Sequence, residues 1–486
     1  MRINLFATGA ALATVLAAAT PATTQTKQRQ LTSGEIRQAR AAHPQIVAEF
    51  GGAETGPRAA YVTRVGRRVA AQANIVDAGT ATTITTLNSP VMNAFAVPGG
   101  YVYVTRQLMG VMNDEAELAS VLGHEVGHVA ANHSKTRSRT SLLGQILAAG
   151  VGLVTGSGQL AQVAGQASQL VGLKFSRDQE YQADALGVRY LAAAGYDPSA
   201  TASMLQQLGA ATDLEARVAG RDDERTTPTW GRTHPLSADR VRRALAEAQK
   251  TGRAGVGERN REPFLAALDG VMVDDDPKQG IIDGSQFIHP DFRLKFTAPQ
   301  GYTMQNGASA VAISGTAGQA QFSSGSFSGD LSSYIAGVYN ALTEGKTQLQ
   351  IPQPQTTTIN GKQAAYTVAQ VQGQSGPVDV GVFAYRWDAS HAFHFMTITK
   401  AGSEFGPFQP MIQSLTPITA AEAAAIRPRV IDVVTVKAGD TVQSLSARMA
   451  YRDYKVERFT TLNGLSPNGA LRPGQKVKIV IYGVRS

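Results

Sequence analysis

Five residues, His124-Glu125-Val126-Gly127-His128, constrain this chain more than any others, because they call for a helix that carries both imidazoles on one face. At about 3.6 residues per turn, positions four apart differ by only about 40° around the axis. His124 and His128 can therefore direct their rings at a single ion, with Glu125 beside them and off the metal. The flanks favour one helix from Asp114 to Arg137: Asn113 or Asp114 can cap it, Glu115 and Glu117 suit its positive end, and Lys135 and Arg137 suit its negative end. The 486 residues include no cysteine, which excludes disulfides, thiolate metal sites, a cysteine nucleophile and a lipid-modified N-terminal cysteine. Any transition metal is left to histidine and carboxylate, and the chain has only 8 histidines.

A hydrolytic zinc site uses three protein ligands and keeps one position open for water. Glu180 is the expected third ligand. It lies in a helical stretch, 175–187, where Glu180 and Asp184 are four apart and share a face, so that Asp184 can accept a hydrogen bond from the far nitrogen of a ligand histidine and fix its tautomer. The cofactor expected is one Zn2+ per chain. His133, five residues beyond His128, is rotated by roughly 140° from the ligand face of a continuing helix and reads as a helix-end histidine, not a ligand.

At these residues the sequence resembles the gluzincin metallopeptidases, the zinc peptidase group of BepA, HtpX and the CAAX prenyl proteases. The resemblance covers roughly 38–248 and rests on four blocks in the family order. Besides the zinc helix and the Glu180-to-Asp184 block, Asn93-Ala-Phe-Ala-Val-Pro-Gly-Gly100 resembles the edge strand that pairs with substrate backbone, which implies Asn93, Ala94, Phe95 and Ala96 as substrate-binding residues. Thr233-His-Pro-Leu-Ser-Ala-Asp-Arg240 resembles the late His-Pro block, which implies that His234 and Arg240 lie near the reacting oxygen. Both side chains can stabilise an oxyanion, and His234 can alternatively fill the open zinc position and repress the resting enzyme. In this scheme Glu125 takes the proton of the attacking water and passes it to the leaving amine.

With 43% hydrophobic and 17% charged residues the chain has the composition of a folded protein with room for two or three domains. Residues 1–22 begin with Arg2, run apolar from Leu5 to Ala19 and reach small residues at Ala18 and Ala22, the pattern of a cleaved signal peptide. Residues 32–255 are expected to form a helix-rich zinc peptidase domain with a small sheet. Residues 263–420 turn to short strands with Gly, Ser and Gln turns and are expected to form a β-rich α+β domain of unknown role, resembling PsbP-like modules in its strands and a late helix over 406–415. Residues 430–484 resemble a LysM module of strand, two helices and strand, through Val433-Val-Thr-Val-Lys-Ala-Gly-Asp-Thr441, Phe459-Thr-Thr-Leu-Asn-Gly-Leu465 and Leu471-Arg-Pro-Gly-Gln-Lys-Val-Lys-Ile479. Ala438 stands where the common motif has proline. The fold class expected for the whole is α+β.

The net charge of +8 is spread over scattered basic residues, with no basic tract interleaved with aromatics, so nucleic acid is not an expected partner. The Gly- and Ala-rich stretch 141–173 has a continuous apolar part too short to span a bilayer and reads as a buried hairpin, with peripheral membrane contact as its alternative. The expected function is a zinc-dependent endopeptidase of the bacterial periplasm acting on misfolded or misassembled envelope proteins, with peptidoglycan as a further partner through the LysM-like module. Two rival readings are a non-enzymatic peptidoglycan-binding protein with a degenerate peptidase domain, and a peptidoglycan-cleaving metalloenzyme. Retention of both histidines, both glutamates and the His234-to-Arg240 block argues against the first, and the His-Glu-x-x-His spacing argues against the second.

Overall fold

The computed structural model describes residues 28–136, 175–220, 230–231, 234–342, 349–373, 376–466 and 469–484. The signal-peptide reading of 1–22 and the hairpin reading of 141–173 lie outside the described residues.

The N-terminal part opens with helices α1 (Ser33–Glu49), α2 (Pro57–Ala70) and α3 (Ala78–Ala81). A three-stranded sheet follows, β1 (Thr83–Leu87), β2 (Ala94–Val97) and β3 (Tyr101–Thr105), in the order β1-β3-β2. Next come α4 (Arg106–Val111) and α5 (Glu115–Ala130), then α6 (Arg177–Ala193), α7 (Ala200–Ala219), α8 (Ala238–Lys250) and α9 (Arg261–Leu268). Helix α5 is the spine of this domain. Asp114 caps it by accepting from the Glu117 amide at 3.0 Å, and from Glu115 to Val129 every residue is buried, as expected of a helix packed on all sides.

Small residues set the distance between α5 and α6. A Cβ at Gly187 would come within 3.2 Å of the His124 amide nitrogen, and one at Gly127 within 3.1 Å of the Ala183 carbonyl. This close approach brings the Glu180 and Asp184 face of α6 onto the histidine face of α5.

The expected helix from Asp114 to Arg137 is shorter than its charges suggested. It stops at Ala130, Asn132 takes a left-handed φ of 56°, and a separate 3-10 turn runs from His133 to Thr136.

The middle domain is β-rich and opens with three short strands, β5 (Ile281–Asp283), β6 (Gln286–His289) and β7 (Leu294–Thr297). Seven strands, β8 (Thr303–Asn306), β9 (Ala310–Gly315), β10 (Gly318–Ser326), β11 (Gln355–Ile359), β12 (Lys362–Gly373), β13 (Gly376–Arg386) and β14 (His391–Lys400), form a sheet in the order β11-β12-β13-β14-β10-β9-β8. Helix α10 (Leu331–Leu342) covers one face through Ile335, Tyr339 and Leu342. The other face buries Phe322, Phe393 and Phe395, together with Trp387 and Tyr385, against Phe287 and Phe296.

The chain leaves for this domain and returns from it at one place. Strand β4 (Met272–Val273) pairs antiparallel with the later strand Arg429–Thr435, whose other neighbour is Lys476–Tyr482, so the middle domain is inserted between adjacent strands of a single sheet. Residues 263–273, grouped with the middle domain in the sequence reading, pack elsewhere: Phe264, Leu268, Val271 and Val273 belong to the N-terminal core. That same core includes Ile431, Val477, Ile479 and Val480 of the C-terminal module. Each such aliphatic side chain contributes roughly 2 kcal/mol when buried. The module, two strands flanking helices Val442–Ala447 and Lys455–Leu462, is thus joined to the peptidase-like domain by a continuous apolar core.

Candidate metal centre

The two histidines of α5 point into one buried space, and each is held from behind in a way that fixes its tautomer. Nδ1 of His124 lies 2.9 Å from Oδ1 of Asp184, a contact that favours the ring proton on that side and leaves its Nε2 lone pair directed inward. His128 is supported by His133, whose Nδ1 lies 2.8 Å from Nδ1 of His128 and whose Nε2 lies 3.0 Å from Oε1 of Gln182. With the amide oxygen of Gln182 accepting, His133 carries its proton on Nε2, takes the Nδ1 proton of His128 as an acceptor, and leaves Nε2 of His128 also bare toward the centre. The two Nε2 atoms are 3.0 Å apart.

The sequence reading missed this role of His133. Its 140° rotation assumed that the helix continues, and the left-handed turn at Asn132 breaks the helical repeat and swings His133 behind His128. Phe175 stacks on the His128 ring, with centroids 3.9 Å apart, and closes the other side.

Glu180 and His234 complete the cluster. Oε1 of Glu180 is 3.5 Å from Nε2 of His128 and 2.9 Å from Nδ1 of His234, which is itself 3.3 Å from Nε2 of His124. One ligand atom from each of His124, His128, Glu180 and His234 can be chosen so that all four lie within 4.8 Å of one another, and all four residues are buried. Burial, reinforced by the neighbouring His124, holds His128 well below its usual pKa, so a proton is a poor guest among these lone pairs. A donor set of imidazole nitrogens and one carboxylate suits a divalent transition cation, and zinc in particular.

Arg240 is not turned toward an incoming oxyanion. Its Nε and Nη2 donate to Oδ2 and Oδ1 of Asp184, each at 2.8 Å, its Nη1 lies 2.8 Å from Oε2 of Glu180, and Nη1 also donates to the His234 and Pro235 carbonyls. Buried and committed to these partners, it positions both carboxylates. Burial alone would raise the Glu180 and Asp184 carboxyls, but His234 and Arg240 outweigh it at Glu180, and Arg240 outweighs it at Asp184, so both stay below the ordinary carboxylate range. Glu125 differs. Burial pushes its carboxyl up to about 7 against the pull of His124, and its Oε1 lies 3.6 Å from Nε2 of His234.

The Asn93 block forms one wall. Thr105 donates its amide to the Asn93 carbonyl at 3.0 Å, and β2 runs antiparallel to β3 with Phe95 opposite Tyr103. By the alternation of an antiparallel ladder, the amides and carbonyls of Ala94 and Ala96 face away from β3. Among the described residues no strand pairs with that side, so β2 is an edge of the sheet. Just before it, the Met92 carbonyl accepts from the amide of Trp230, whose ring stacks on His234 with centroids 4.9 Å apart. Trp230 carried no signal in the sequence beyond being one of 2 tryptophans.

Residues 57–248 match the profile of peptidase family M48. They form an M48 peptidase domain. Residues 434–480 match the LysM domain. The mitochondrial metalloendopeptidase OMA1 of Schizosaccharomyces pombe is 29% identical over 222 residues, 44% of this chain and 62% of that protein. The β-barrel assembly-enhancing protease of Yersinia pestis is 31% identical over 199 residues, 39% of each chain, and the metalloprotease LoiP of Escherichia coli is 33% identical over 153 residues, 31% of this chain and 56% of LoiP. In none of the three does the match reach two thirds of the relative's length. The solution structure of PsbP from Synechocystis sp. PCC 6803 covers 28% of this chain and 98% of its own at a TM-score of 0.22 and 9% identity, too slight a likeness to define any domain here.

The M48 profile spans every member of the cluster: both histidines of α5, Glu180 and Asp184 on α6, and the His234-to-Arg240 block that runs into α8. Among the described residues no helix is long and apolar enough to cross a membrane.

Proposed function

We propose that this protein is a zinc-dependent endopeptidase of the bacterial periplasm that cleaves misfolded or misassembled envelope proteins. The observation that carries the reading is the convergence of two bare Nε2 atoms 3.0 Å apart with the Glu180 carboxylate in a buried pocket beside Glu125. His124, His128 and Glu180 would hold the ion. When bound, zinc would polarise the scissile carbonyl and make water acidic enough to lose a proton near neutral pH. Glu125, buried and lifted toward neutrality, is suited to accept that proton and later return it to the leaving amine. At the unpaired side of β2, Ala96 is partly exposed and its backbone groups can receive an extended peptide, while Ala94 beside it is fully buried; pairing of this kind gives affinity without demanding particular side chains. Such a reader of backbone suits substrates defined by being unfolded. Asp184 and Arg240 hold the ligands in place.

His234 is read as a brake. Its Nδ1 sits among the other donor atoms, where it would occupy the position that water needs. The LysM domain supplies a second partner, peptidoglycan, with the loop 437–439 exposed for contact. A non-enzymatic role would leave the buried donor set without a purpose.

The test is casein cleavage by the purified chain, with and without a chelator, alongside two variants. Glu125→Gln is expected to keep zinc and lose proteolysis to background; normal cleavage by that variant would end the hydrolytic reading. His234→Ala is expected to raise turnover. A loss of ~100 to 1000-fold with zinc retained would instead make His234 an oxyanion donor.

A further inference from the structure

The C-terminal module reaches the start of the metal-binding helix with a single buried cation. Lys478, on the last strand, is fully buried, and its Nζ donates to the Gly110 carbonyl at 2.8 Å and to the Met112 carbonyl. Gly110 lies in the last turn of α4, where carbonyls lack helical partners, and Met112 opens the three-residue connection into α5. An ammonium at that place satisfies both oxygens and faces the negative end of the α4 dipole.

Other contacts gather at the same junction. Arg261 donates to the Asn113 carbonyl at 2.8 Å and to the Lys476 carbonyl at 3.3 Å, Gln207 of α7 donates to the Thr461 carbonyl, and Asn463 takes the Lys478 amide at 2.7 Å. On the peptidase side, Glu117 is buried beneath the junction, accepting from the Asn113 amide at 2.8 Å and from the Ser203 hydroxyl at 2.7 Å. Burial draws the Lys478 ammonium down to about 7, with the charge of Glu117 resisting. A lysine is rarely buried so completely, and here its donors go to two carbonyls that lie just before the start of α5.

We propose that the LysM domain braces the metal-binding helix, and that Lys478 is the positioning residue through which it does so. The inference rests on the reading of α5 as the carrier of the zinc ligands. Helix α5 is rigid and packed on all sides, so a shift at residues 112–114 moves His124 and His128 with it. The module thereby serves the peptidase centre from within the core, independently of any glycan it contacts.

The experiment uses the full chain with Lys478→Met, which keeps length and removes the donors, and Lys478→Gln, which keeps an amide donor. Gln207→Leu, which loosens the same joint without touching Lys478, is the control. Circular dichroism checks folding, chelator competition gives zinc affinity, the visible absorption of the Co(II)-substituted protein reports ligand geometry, and casein cleavage separates kcat from KM. Lys478→Met is expected to fold, bind zinc about tenfold more weakly, show an altered Co(II) spectrum, and lose kcat about tenfold at unchanged KM, the scale of losing an outer support of a metal site. Gln207→Leu is expected to melt earlier with zinc affinity, spectrum and kcat unchanged.

Wild-type zinc affinity, Co(II) spectrum and kcat in Lys478→Met would overturn the proposal. If that variant does not fold, Lys478→Gln, whose shorter neutral arm cannot reach both carbonyls as the ammonium does, is expected to show the same losses in smaller measure; wild-type values in it would overturn the proposal, and failure of both to fold would make Lys478 a folding residue only and end the inference. A wild-type chain that neither binds zinc nor cleaves casein would instead count against the proposed function.

Discussion

Asp184→Asn tests how the metal centre is held, because one atom changes and three close polar contacts depend on it. Oδ1 of Asp184 serves both Nδ1 of His124 at 2.9 Å and Nη2 of Arg240 at 2.8 Å, while Oδ2 takes Nε of Arg240 at 2.8 Å. An asparagine that keeps its oxygen at the Oδ1 position turns its amide N–H groups against the Nε–H of Arg240, donor against donor. The opposite flip does the same to His124. Arg240 retains Glu180 through Nη1 at 2.8 Å, so its charge is not wholly stranded, and the loss belongs at the low end of the ~3 to 5 kcal/mol typical of a broken buried pair. His124 also loses the carboxylate that makes its Nε2 more basic, which by the usual cost of an outer partner weakens zinc binding by ~10 to 100-fold, or about 1.4 to 2.8 kcal/mol. Zinc partition against a chelator of known affinity measures the second effect, and urea unfolding of the metal-free protein measures the first. Unchanged zinc affinity in a folded Asp184→Asn protein would refute the claim that Asp184 orients His124, and unchanged urea stability would refute the claim that Arg240 depends on it.

Glu180→Ala is expected to abolish stoichiometric zinc binding, since it removes the one carboxylate among the proposed ligands; metal analysis after dialysis against dilute zinc checks this, and full occupancy would sink the assignment. His133→Ala removes the acceptor behind His128 and is expected to weaken zinc binding by ~10-fold or more by the same reasoning as for Asp184; the assay is again chelator competition, and wild-type affinity would count against the tautomer argument. In the middle domain, burial brings His394 down to about 4, below its ordinary value. A group depressed on folding adds stability above its unfolded pKa near 6.5 and loses it as pH falls toward 4, here with a slope of at most ~1.4 kcal/mol per pH unit. In denaturant unfolding between pH 7 and 4 the wild type should therefore lose stability relative to His394→Gln as pH falls, and parallel curves would contradict an uncharged, desolvated His394.

The metal-site core was legible because its chemistry is written in local spacing. His124 and His128 share a face by helical repeat alone, and Glu180 and Asp184 do the same on the second helix. The small residues Gly127 and Gly187, which let those faces meet, are also plain in the sequence, although only the crossing shows what they are for. What escaped depends on interruptions and on distant partners. His133 was misread because a left-handed Asn132 cancels the rotation that a continuing helix would impose. The Asp184 and Arg240 pair joins residues 56 apart on two different helices, so the guanidinium looked free to serve substrate. Trp230 lies in no periodic segment. The joint between the LysM domain and the peptidase was invisible for another reason: Val477, Ile479 and Val480 read as a strand with a buried side whichever body supplies the covering surface. The place where the middle domain is inserted could be found only from the pairing of Met272 with Val430.

That insertion orders events in time. A ribosome delivers the M48 segment first, then the whole middle domain, and only afterwards the strand pair that seals the apolar wall around Phe264, Val271 and Val273. Contacts between chain segments so far apart form late and keep apolar surface exposed meanwhile. The residues that would cut peptide bonds are thus made long before the support that sets their helix, and a chain interrupted anywhere between Arg240 and Lys478 carries a complete set of ligands on an unsealed core. The order of the chain itself thereby delays the moment at which the metal centre is fully braced.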